Sequence, residues 1–243
     1  MVLKTNAVTF DELRWDTDFF GISSARATLH RPLTQNEWLE LKVKFEDYQF
    51  ISIVNEQSEP GNSQLIGKDT HAFLADVNVQ FKRKLGEQFT GPSDISIQSC
   101  LERNNLIIEL ADFQYSKFSE DPEFANRGGE KVYSQWLLNA FEKPDKYFAL
   151  SKNQKGELNG FLLFSYSNDV CIVELIAVSK KCTNSGTGTR LFRAVEAEAY
   201  KQGSKEIQVG TQIRNIGAIN FYHKVGCKQV GCHQVFHLWN KAV

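Results

Sequence analysis

The sequence predicts an α/β protein in which a smaller N-terminal α/β domain, residues 1–100, precedes a larger domain, residues 101–243. Two patterns predict this class. Up to about residue 97, apolar residues form short groups separated by polar segments, which is typical of strands. Beyond residue 130, stretches with helical spacing alternate with strand-like apolar groups. The 42% hydrophobic and 23% charged residues are typical of a globular protein, and 243 residues suffice to bury a sizeable core.

The N-terminal part is predicted to contain one long helix among strands and polar connectors. Thr34 followed by Glu37 is the capping-box pattern with which helices begin, so a helix is expected over residues 34–48. Its apolar face, at positions i, i+3 and i+7, is formed by Trp38, Leu41 and Phe45. Strands are predicted at residues 50–54 and 72–79, and polar connectors at residues 55–70 and 84–93.

The larger part is predicted to alternate strands with helices. Strands are expected at residues 147–150, 161–164, 170–178, 207–211 and 234–239. Helices are expected at residues 131–142, 188–201 and 215–225, ending before Pro144, Gly203 and Gly226. The stretch 170–178 is almost continuously apolar except for Glu174, which is typical of a central strand covered on both faces.

Charge and targeting patterns argue against several classes of function. The 28 Lys and Arg residues against 29 Asp and Glu give a net charge of -1, so neither a nucleic acid partner nor a membrane partner is expected. The first residues contain no apolar leader region, and no stretch has the roughly 18 apolar residues of a membrane span, so a cytoplasmic protein is expected. The 5 cysteines form no CxxC pair, which predicts reduced thiols and no metal site.

The segment from residue 178 to residue 191 has the clearest chemical pattern. It reads as a strand, a turn with Gly186-Thr187-Gly188, and the start of an amphipathic helix. Backbone N–H groups at such a turn converge on phosphate oxygens, and the helix N-terminus adds about half a positive charge. The same pattern also forms plain tight turns. It lacks the Gly-Lys-Ser/Thr of a P-loop and the third glycine of a dinucleotide-binding turn.

A second motif lies on the helix predicted next along the chain. Residues 215–226 follow the pattern Asn-x-x-Ala-x-x-x-Tyr-x-x-x-Gly, and residues 186–191 follow Gly-x-Gly-x-x-Leu. In this order and spacing, the two motifs resemble the GNAT superfamily of acyl-CoA-dependent N-acyltransferases. The resemblance implies a mixed, mostly antiparallel twisted sheet flanked by helices on both faces, with acyl-CoA as the co-substrate.

The resemblance also assigns the acyl-CoA contacts. In the superfamily the turn holds the CoA pyrophosphate, the preceding strand receives pantetheine, and backbone N–H groups, here those of residues 176–178, hold the acyl oxygen. The contacts expected on this basis are Ile176, Ala177, Val178, Thr183, Ser185, Gly186, Thr187, Gly188, Thr189 and Asn215. Thr183 stands where the family usually has Arg or Gln, which removes one phosphate contact and leaves the backbone cradle.

A narrower resemblance spans both parts of the chain. Residues 15–21, 116–124, 133–136 and 211–215 are similar, in the same order, to segments of the TDP-fucosamine acetyltransferase family of nucleotide-sugar N-acyltransferases. This resemblance implies a dTDP-linked amino-dideoxy sugar as the acceptor, made for bacterial surface polysaccharide or glycan. The acceptor contacts that it implies are Phe118, Asp121, Tyr133, Trp136 and Gln212. Tyr133 and Trp136 also fall on the expected buried stripe of their helix, where core packing is the alternative role.

Aminolysis of a thioester needs a neutral amine, a partner for the oxyanion and a proton for the departing thiolate. Tyr222 is the predicted general acid, and the alternative is a buried aromatic residue that only packs. Glu174 is the predicted base, because an apolar environment raises the pKa of a carboxyl group. A structural carboxylate and a chain of waters are the alternatives. His223 and the other histidines are expected at surface or structural positions.

Two further functions stay open at this level. One is a GNAT acetyltransferase that acts on a protein N-terminus or a polyamine, for which an acidic groove would be expected. The other is a non-catalytic CoA-binding sensor, against which the presence of Tyr222 together with the glycine turn argues. The sequence also leaves open the amino sugar, the acyl group, acetyl or a longer hydroxyacyl, and the oligomeric state, for which a homodimer is one option.

Overall fold

A computed structural model describes residues 3–4, 6–86, 90–183 and 185–240. The strands are β1 (Leu3–Lys4), β2 (Val8–Glu12), β3 (Ser24–Leu29), β4 (Phe50–Asn55), β5 (Phe73–Lys84), β6 (Ile95–Ser99), β7 (Lys146–Lys152), β8 (Leu158–Ser167), β9 (Val170–Val178), β10 (Glu206–Gln212) and β11 (Lys228–Trp239). The helices are α1 (Arg14–Phe20), α2 (Gln35–Phe45), α3 (Pro60–Asp69), α4 (Asn105–Leu110), α5 (Lys117–Glu120), α6 (Pro122–Ala125), α7 (Val132–Ala140), α8 (Thr187–Lys201) and α9 (Ile216–Lys224).

All of these strands form one sheet. Their order is β1-β2-β3-β4-β11-β5-β10-β9-β8-β7-β6. The β3–β4 and β9–β10 pairs are parallel and the other neighbours are antiparallel. Strand β5 comes from the N-terminal segment but lies between β10 and β11, so the sheet is continuous across residue 100. The division into domains at residue 100 stays a prediction.

Helices cover both faces of the central strands. On one face α8 and α9 pack with Leu191, Phe192 and Tyr222 against the sheet residues Phe81 and Val209. On the other face α4 and α7 pack against β7, β8 and β9 in a second apolar cluster. The predicted strand 170–178 is therefore covered on both faces, as its continuous apolar run indicated.

The predicted N-terminal helix is confirmed as α2. The side chain of Thr34 accepts a hydrogen bond from the backbone N–H of Glu37, and the Glu37 carboxylate accepts one from the backbone N–H of Thr34, which is a capping box. Trp38, Leu41 and Phe45 are buried and pack against β3, β4 and the last strand, β11.

The polar connector predicted at residues 55–70 is wrong in part, because it contains α3. Pro60 stands at the start of this helix, where its fixed φ is favourable and its missing N–H is not needed. Ile66 is fully buried, and the buried Asn62 donates to the carbonyl of Arg31 and to Asn55. Residues that suggested a turn therefore start a helix and complete a buried polar network.

Three further features of the described ranges bear on function. None of the helices there combines the length and apolar character needed to cross a membrane. Nor do those ranges bring together three or more His, Cys, Asp or Glu side chains in a way that could hold a metal ion. All five cysteines are free thiols.

Candidate active site

The parallel strands β9 and β10 separate at their carboxyl ends. Their pairing runs from Val170 opposite Glu206 to Val173 opposite Val209 and stops there, although β9 continues to Val178 and β10 to Gln212. Backbone groups of β9 that point toward β10 beyond this position have no strand to bind. The carboxyl ends of parallel strands are where ligands commonly bind in α/β sheets.

A β-bulge lies on β9 at this point of separation. Leu175 pairs with Leu163 and Val173 pairs with Phe164, so Glu174 is the extra residue. Beyond the bulge, the N–H of Ser179 donates to the carbonyl of Asn159 on the β8 side. Because N–H groups alternate along a strand, those of Ile176 and Val178 point into the gap between β9 and β10.

The glycine turn leads from β9 into α8. Gly186 is the residue before the first helical turn and has φ +86°, in the left-handed region that favours glycine. A Cβ built on Gly186 meets no atom within 4 Å, so open space lies in front of it. Among the described residues no side chain caps the helix, and its first turn holds no acidic residue, so its N–H groups can donate hydrogen bonds to an anion.

The second glycine of the turn has a packing role. A Cβ on Gly188 would lie 3.3 Å from the ring of Phe221 on α9 and 3.8 Å from Val178. Gly188 therefore allows α8, α9 and the end of β9 to approach closely. Ser185 and Thr187 are joined through their hydroxyls at 2.8 Å, and the Ser185 hydroxyl also donates to the carbonyl of Cys182 at 2.5 Å.

Tyr222 lies on α9, which begins at Asn215. The Asn215 side chain accepts a hydrogen bond from the N–H of Ala218 at 3.0 Å and so caps that helix. The Tyr222 side chain is only 3% exposed and packs on Phe81 with the ring centroids 5.4 Å apart. Burial raises the pKa of Tyr222, so the phenol keeps its proton at neutral pH. Its hydroxyl makes no hydrogen bond within the described residues.

Glu174 has polar partners in place of the apolar surroundings that the sequence predicted. Its Oε1 accepts hydrogen bonds from Lys146 Nζ and from the Ser165 hydroxyl, both at 2.5 Å. Its Oε2 accepts one from the indole N–H of Trp136 at 2.9 Å. The ammonium of Lys146 stabilises the carboxylate, and the three contacts fix its position.

A cleft of about 810 Å³ connects these parts. The predicted residues that line it are Phe118, Tyr133, Trp136, Glu174, Ile176, Val178, Thr183, Gln212, Asn215 and Tyr222. The predicted residues that do not line it are Ala177, Ser185, Gly186, Thr187, Gly188, Thr189 and Asp121. The turn residues lie beyond the cleft, at the start of α8, and Ala177 packs in the core on the α7 side.

The predicted acceptor residues Tyr133, Trp136 and Gln212 come together on one wall of the cleft. Burial raises the pKa of Tyr133, while its hydrogen bonds with Ser116 and Gln212 act in the opposite direction. Trp136 is 39% exposed, so it does not belong to the buried stripe of α7. That stripe is formed by Val132, Leu137 and Ala140.

Asp121 lies outside the cleft and is 2% exposed. Its Oδ2 is 2.6 Å from His237 Nδ1 and accepts a hydrogen bond from the Trp239 indole at 2.9 Å, while Oδ1 caps α6. Burial acts to raise the pKa of Asp121, but the hydrogen bonds with His237 and Trp239 outweigh it and hold the pKa below its usual value. These contacts correct the expectation of a substrate contact, because they tie α6 to β11 and leave the carboxylate no access to the cleft.

The sequence reasoning missed several polar residues of the cleft. Arg26 on β3, Asp76 on β5 and Lys117 on α5 all line it, and Lys146 and Ser165 hold Glu174. Only Lys117 lies within a segment that the resemblance had selected, residues 116–124. The others come from strands far apart in sequence, and no local pattern marks them.

Comparison with known proteins gives one family match. Residues 106–227, half of the chain, match the family model described as "Acetyltransferase (GNAT) family". The spore coat polysaccharide biosynthesis protein SpsD of Bacillus subtilis (strain 168) is 24% identical over 135 residues, which are 55% of this chain and 46% of that protein. The chain spans about half the length of the curated relatives it matches.

Solved structures of similar fold extend over almost the whole chain. A GCN5-related N-acetyltransferase from Sphaerobacter thermophilus aligns with a TM-score of 0.66 at 12% identity, covering 98% of this chain and 78% of its own. A GCN5-related N-acetyltransferase from Kribbella flavida aligns with a TM-score of 0.62 at 12% identity, covering 99% and 90%. At this identity the likeness shows the fold alone, and it confirms the mixed, helix-flanked sheet that the sequence predicted.

Proposed function

We propose, from the premise that the chain belongs to the acetyltransferase (GNAT) family, that it transfers an acyl group from acyl-CoA to the amino group of a dTDP-linked amino-dideoxy sugar. The observation that carries the proposal is the gap between β9 and β10. It opens into a cleft that holds Tyr222 on the α9 side and the aromatic residues Phe118 and Trp136 on the other. One ligand can therefore enter through the gap and a second through the aromatic side.

The acyl-CoA half of the proposal follows from backbone geometry. The start of α8 offers N–H groups that no described side chain caps, and open space at Gly186, for the pyrophosphate. The gap along β9 offers the N–H groups of Ile176 and Val178, which would donate hydrogen bonds to the acyl oxygen as negative charge develops on it. Neither feature needs the Arg or Gln that Thr183 replaces.

The chemical step forms a C–N bond between the acyl carbon and the acceptor amine and breaks the C–S bond of the thioester. Tyr222, whose phenol is protonated at neutral pH, supplies the proton that the departing thiolate takes up. The amine gives its proton to Glu174 or to a chain of waters. Each carboxylate oxygen of Glu174 accepts hydrogen bonds already, which leaves room for one further partner at most on the less engaged Oε2.

The acceptor half rests on the cleft and on one relative. Phe118, Tyr133 and Trp136 offer aromatic surfaces to a sugar or base, and Gln212 adds a polar group. The relative SpsD is named for spore coat polysaccharide biosynthesis, which supports an acceptor destined for a surface polysaccharide. The proposal covers any amine position on the sugar, an acetyl or short hydroxyacyl group as the transferred group, and a homodimer as one option for the oligomeric state.

The proposal is tested by a panel of amines and a thiol-release assay. With acetyl-CoA, dTDP-linked aminodideoxyhexoses should be acylated far faster than peptides, polyamines or free amino sugars, because the nucleotide part positions the amine. The variant Tyr222→Phe is assayed beside the wild type and should release thiol much more slowly, which ties the signal to catalysis by this protein. A faster rate on an N-terminal peptide or polyamine would move the function to that class. CoA binding without thiol release on any amine would leave a CoA-binding sensor.

A further inference from the structure

The cleft has a second arm that the acyl-transfer step does not use. This side pocket of about 340 Å³ is lined by three aromatic residues, Trp15, Phe118 and Trp136, and Asp16 also contributes to its wall. Arg26, Phe118 and Trp136 line both the side pocket and the main cleft, so the two spaces meet at these residues. The volume lies near the lower end of the range of about 300–1,000 Å³ for small-molecule sites, which suits part of a ligand rather than a whole one.

Two cations lie near this junction and make no direct ion pair within the described residues, although two carboxylates act on them at longer range. Lys117 on α5 has its ammonium 5.1 Å from the ring centroid of Phe118, and Arg26 lies on β3. Within the residues that the structure describes, neither side chain takes part in an ion pair or a hydrogen bond. Lys146, by contrast, is neutralised by Glu174 at 2.5 Å.

The electrostatics of Lys117 reflect this arrangement. Burial and then the positive charge of Arg26 lower the pKa of Lys117 to about 8, although the carboxylates of Asp76 and Asp16 act in the opposite direction. Two like charges in a partly desolvated site repel each other, and a bound anion would relieve that repulsion. Guanidinium and ammonium groups are the common protein partners of phosphate.

We propose that Arg26 and Lys117 bind the phosphate groups of the acceptor and that the aromatic side pocket takes the planar base of the same nucleotide. The ligand class is a nucleoside diphosphate. This inference rests on the proposed function, but the site would bind the nucleoside diphosphate without its amino sugar. Asp76 and Glu174 line the main cleft, which suits an acceptor that carries phosphates at one end and an amine at the other.

The test is calorimetric titration of dTDP into the full chain saturated with CoA, so that the start of α8 is already occupied. Lys117→Met and Arg26→Gln should each weaken dTDP binding by about 10- to 100-fold, the loss of one charged hydrogen-bond partner. Lys155→Met, in the exposed β7–β8 turn, is the matched control and should bind as the wild type does. Lys117→Arg, which keeps the charge, should retain most of the affinity.

Inorganic pyrophosphate separates the phosphate subsite from the ring subsite. Trp15→Leu should weaken dTDP binding and leave pyrophosphate binding unchanged, whereas Lys117→Met should weaken both. Unchanged dTDP affinity in both cation variants, or no dTDP binding to the wild type at millimolar concentration, would overturn the inference.

The outcomes for the inference and for the proposed function can be told apart. Acylation of a dTDP-amino sugar with the same KM in the wild type, Lys117→Met and Arg26→Gln keeps the function and overturns this site. Charge-dependent dTDP binding in a protein that acylates no amino sugar keeps the site and overturns the function. Thermal unfolding of each variant, compared with that of Lys155→Met, verifies that a loss of binding is not a loss of fold.

Discussion

Gly186 and Gly203 flank helix α8 and allow the phosphate role of the turn to be separated from its backbone role. Both have positive φ, +86° and +82°, and a Cβ on either one meets no atom within 4 Å. A valine at either position is strained by at least about 1–2 kcal/mol, because an L-residue disfavours this region. At this chain length, that strain lowers Tm by about 2–8 °C.

The two variants should differ in CoA binding. The side chain of Gly186→Val would occupy the open space where the phosphates approach the N–H groups of α8. Losing two hydrogen bonds to a charged group, each of about 1.5–3 kcal/mol, weakens CoA binding by at least about 100-fold. Gly203→Val lies at the far end of a 15-residue helix, roughly 22 Å away, and should bind CoA normally.

Calorimetric titration with CoA and thermal unfolding of both variants measure the two effects. The reasoning predicts similar Tm losses and different dissociation constants. A folded Gly186→Val that binds CoA as the wild type does would place the pyrophosphate elsewhere. An equal loss of CoA binding in Gly203→Val would mean that strain in α8, rather than the turn, controls binding.

Three other residues give predictions that rest on different observations. Tyr222→Phe should lower kcat by about 100-fold or more with little change in KM, because the proton donor is lost. Its Tm should barely change, since no hydrogen bond of the hydroxyl is broken. A raised KM at normal kcat would show that Tyr222 only packs. Asp121→Ala should lower the free energy of unfolding by about 2–6 kcal/mol in denaturant titrations, because the buried N–H groups of His237 and Trp239 lose their hydrogen-bond partner. A changed KM for the amino-sugar substrate in the folded variant would contradict the structural role. The pKa of Lys117 is about 8 in the folded chain and 10.5 in its ordinary state, so between these pH values the unfolded chain binds more protons and the folded chain gains stability as pH rises. The stability that Lys117→Met gains over the wild type should therefore shrink over that pH range. A difference in Tm that does not change with pH would contradict the lowered pKa.

Elements with a strong hydrophobic period could be predicted from the sequence. The apolar spacing of Leu191, Phe192, Val195 and Ala199 placed α8 almost to the residue, and the continuous run of β9 marked a covered strand. The order of strands could not be predicted, because nothing local to residues 73–84 indicates that they insert between two C-terminal strands. The helix α3 was missed because Pro60 and Gly61 favour turns as well as helix starts.

The residues of the candidate site also fall into a group that the sequence could place and a group that it could not. The place of Gly186 before α8 and of Tyr222 at the cleft could be predicted because both belong to motifs with fixed spacing, whereas their roles stay predictions. The contacts of Glu174 could not, since Trp136, Lys146 and Ser165 lie on three different elements. Asp121 lay within a selected motif, but a short motif cannot tell whether a carboxylate faces a cleft or a buried histidine.

The position of β11 affects how the protein can be made. Residues 228–239 are synthesised after all the other described strands, yet they lie between β4 and β5 and place Phe236 and Leu238 in the N-terminal apolar cluster. Until the ribosome has released this strand, β4 and β5 each present an unpaired edge, which favours association with other chains. The non-local pairing also predicts slow folding. Chaperone binding to nascent chains should therefore persist until residue 239 has emerged.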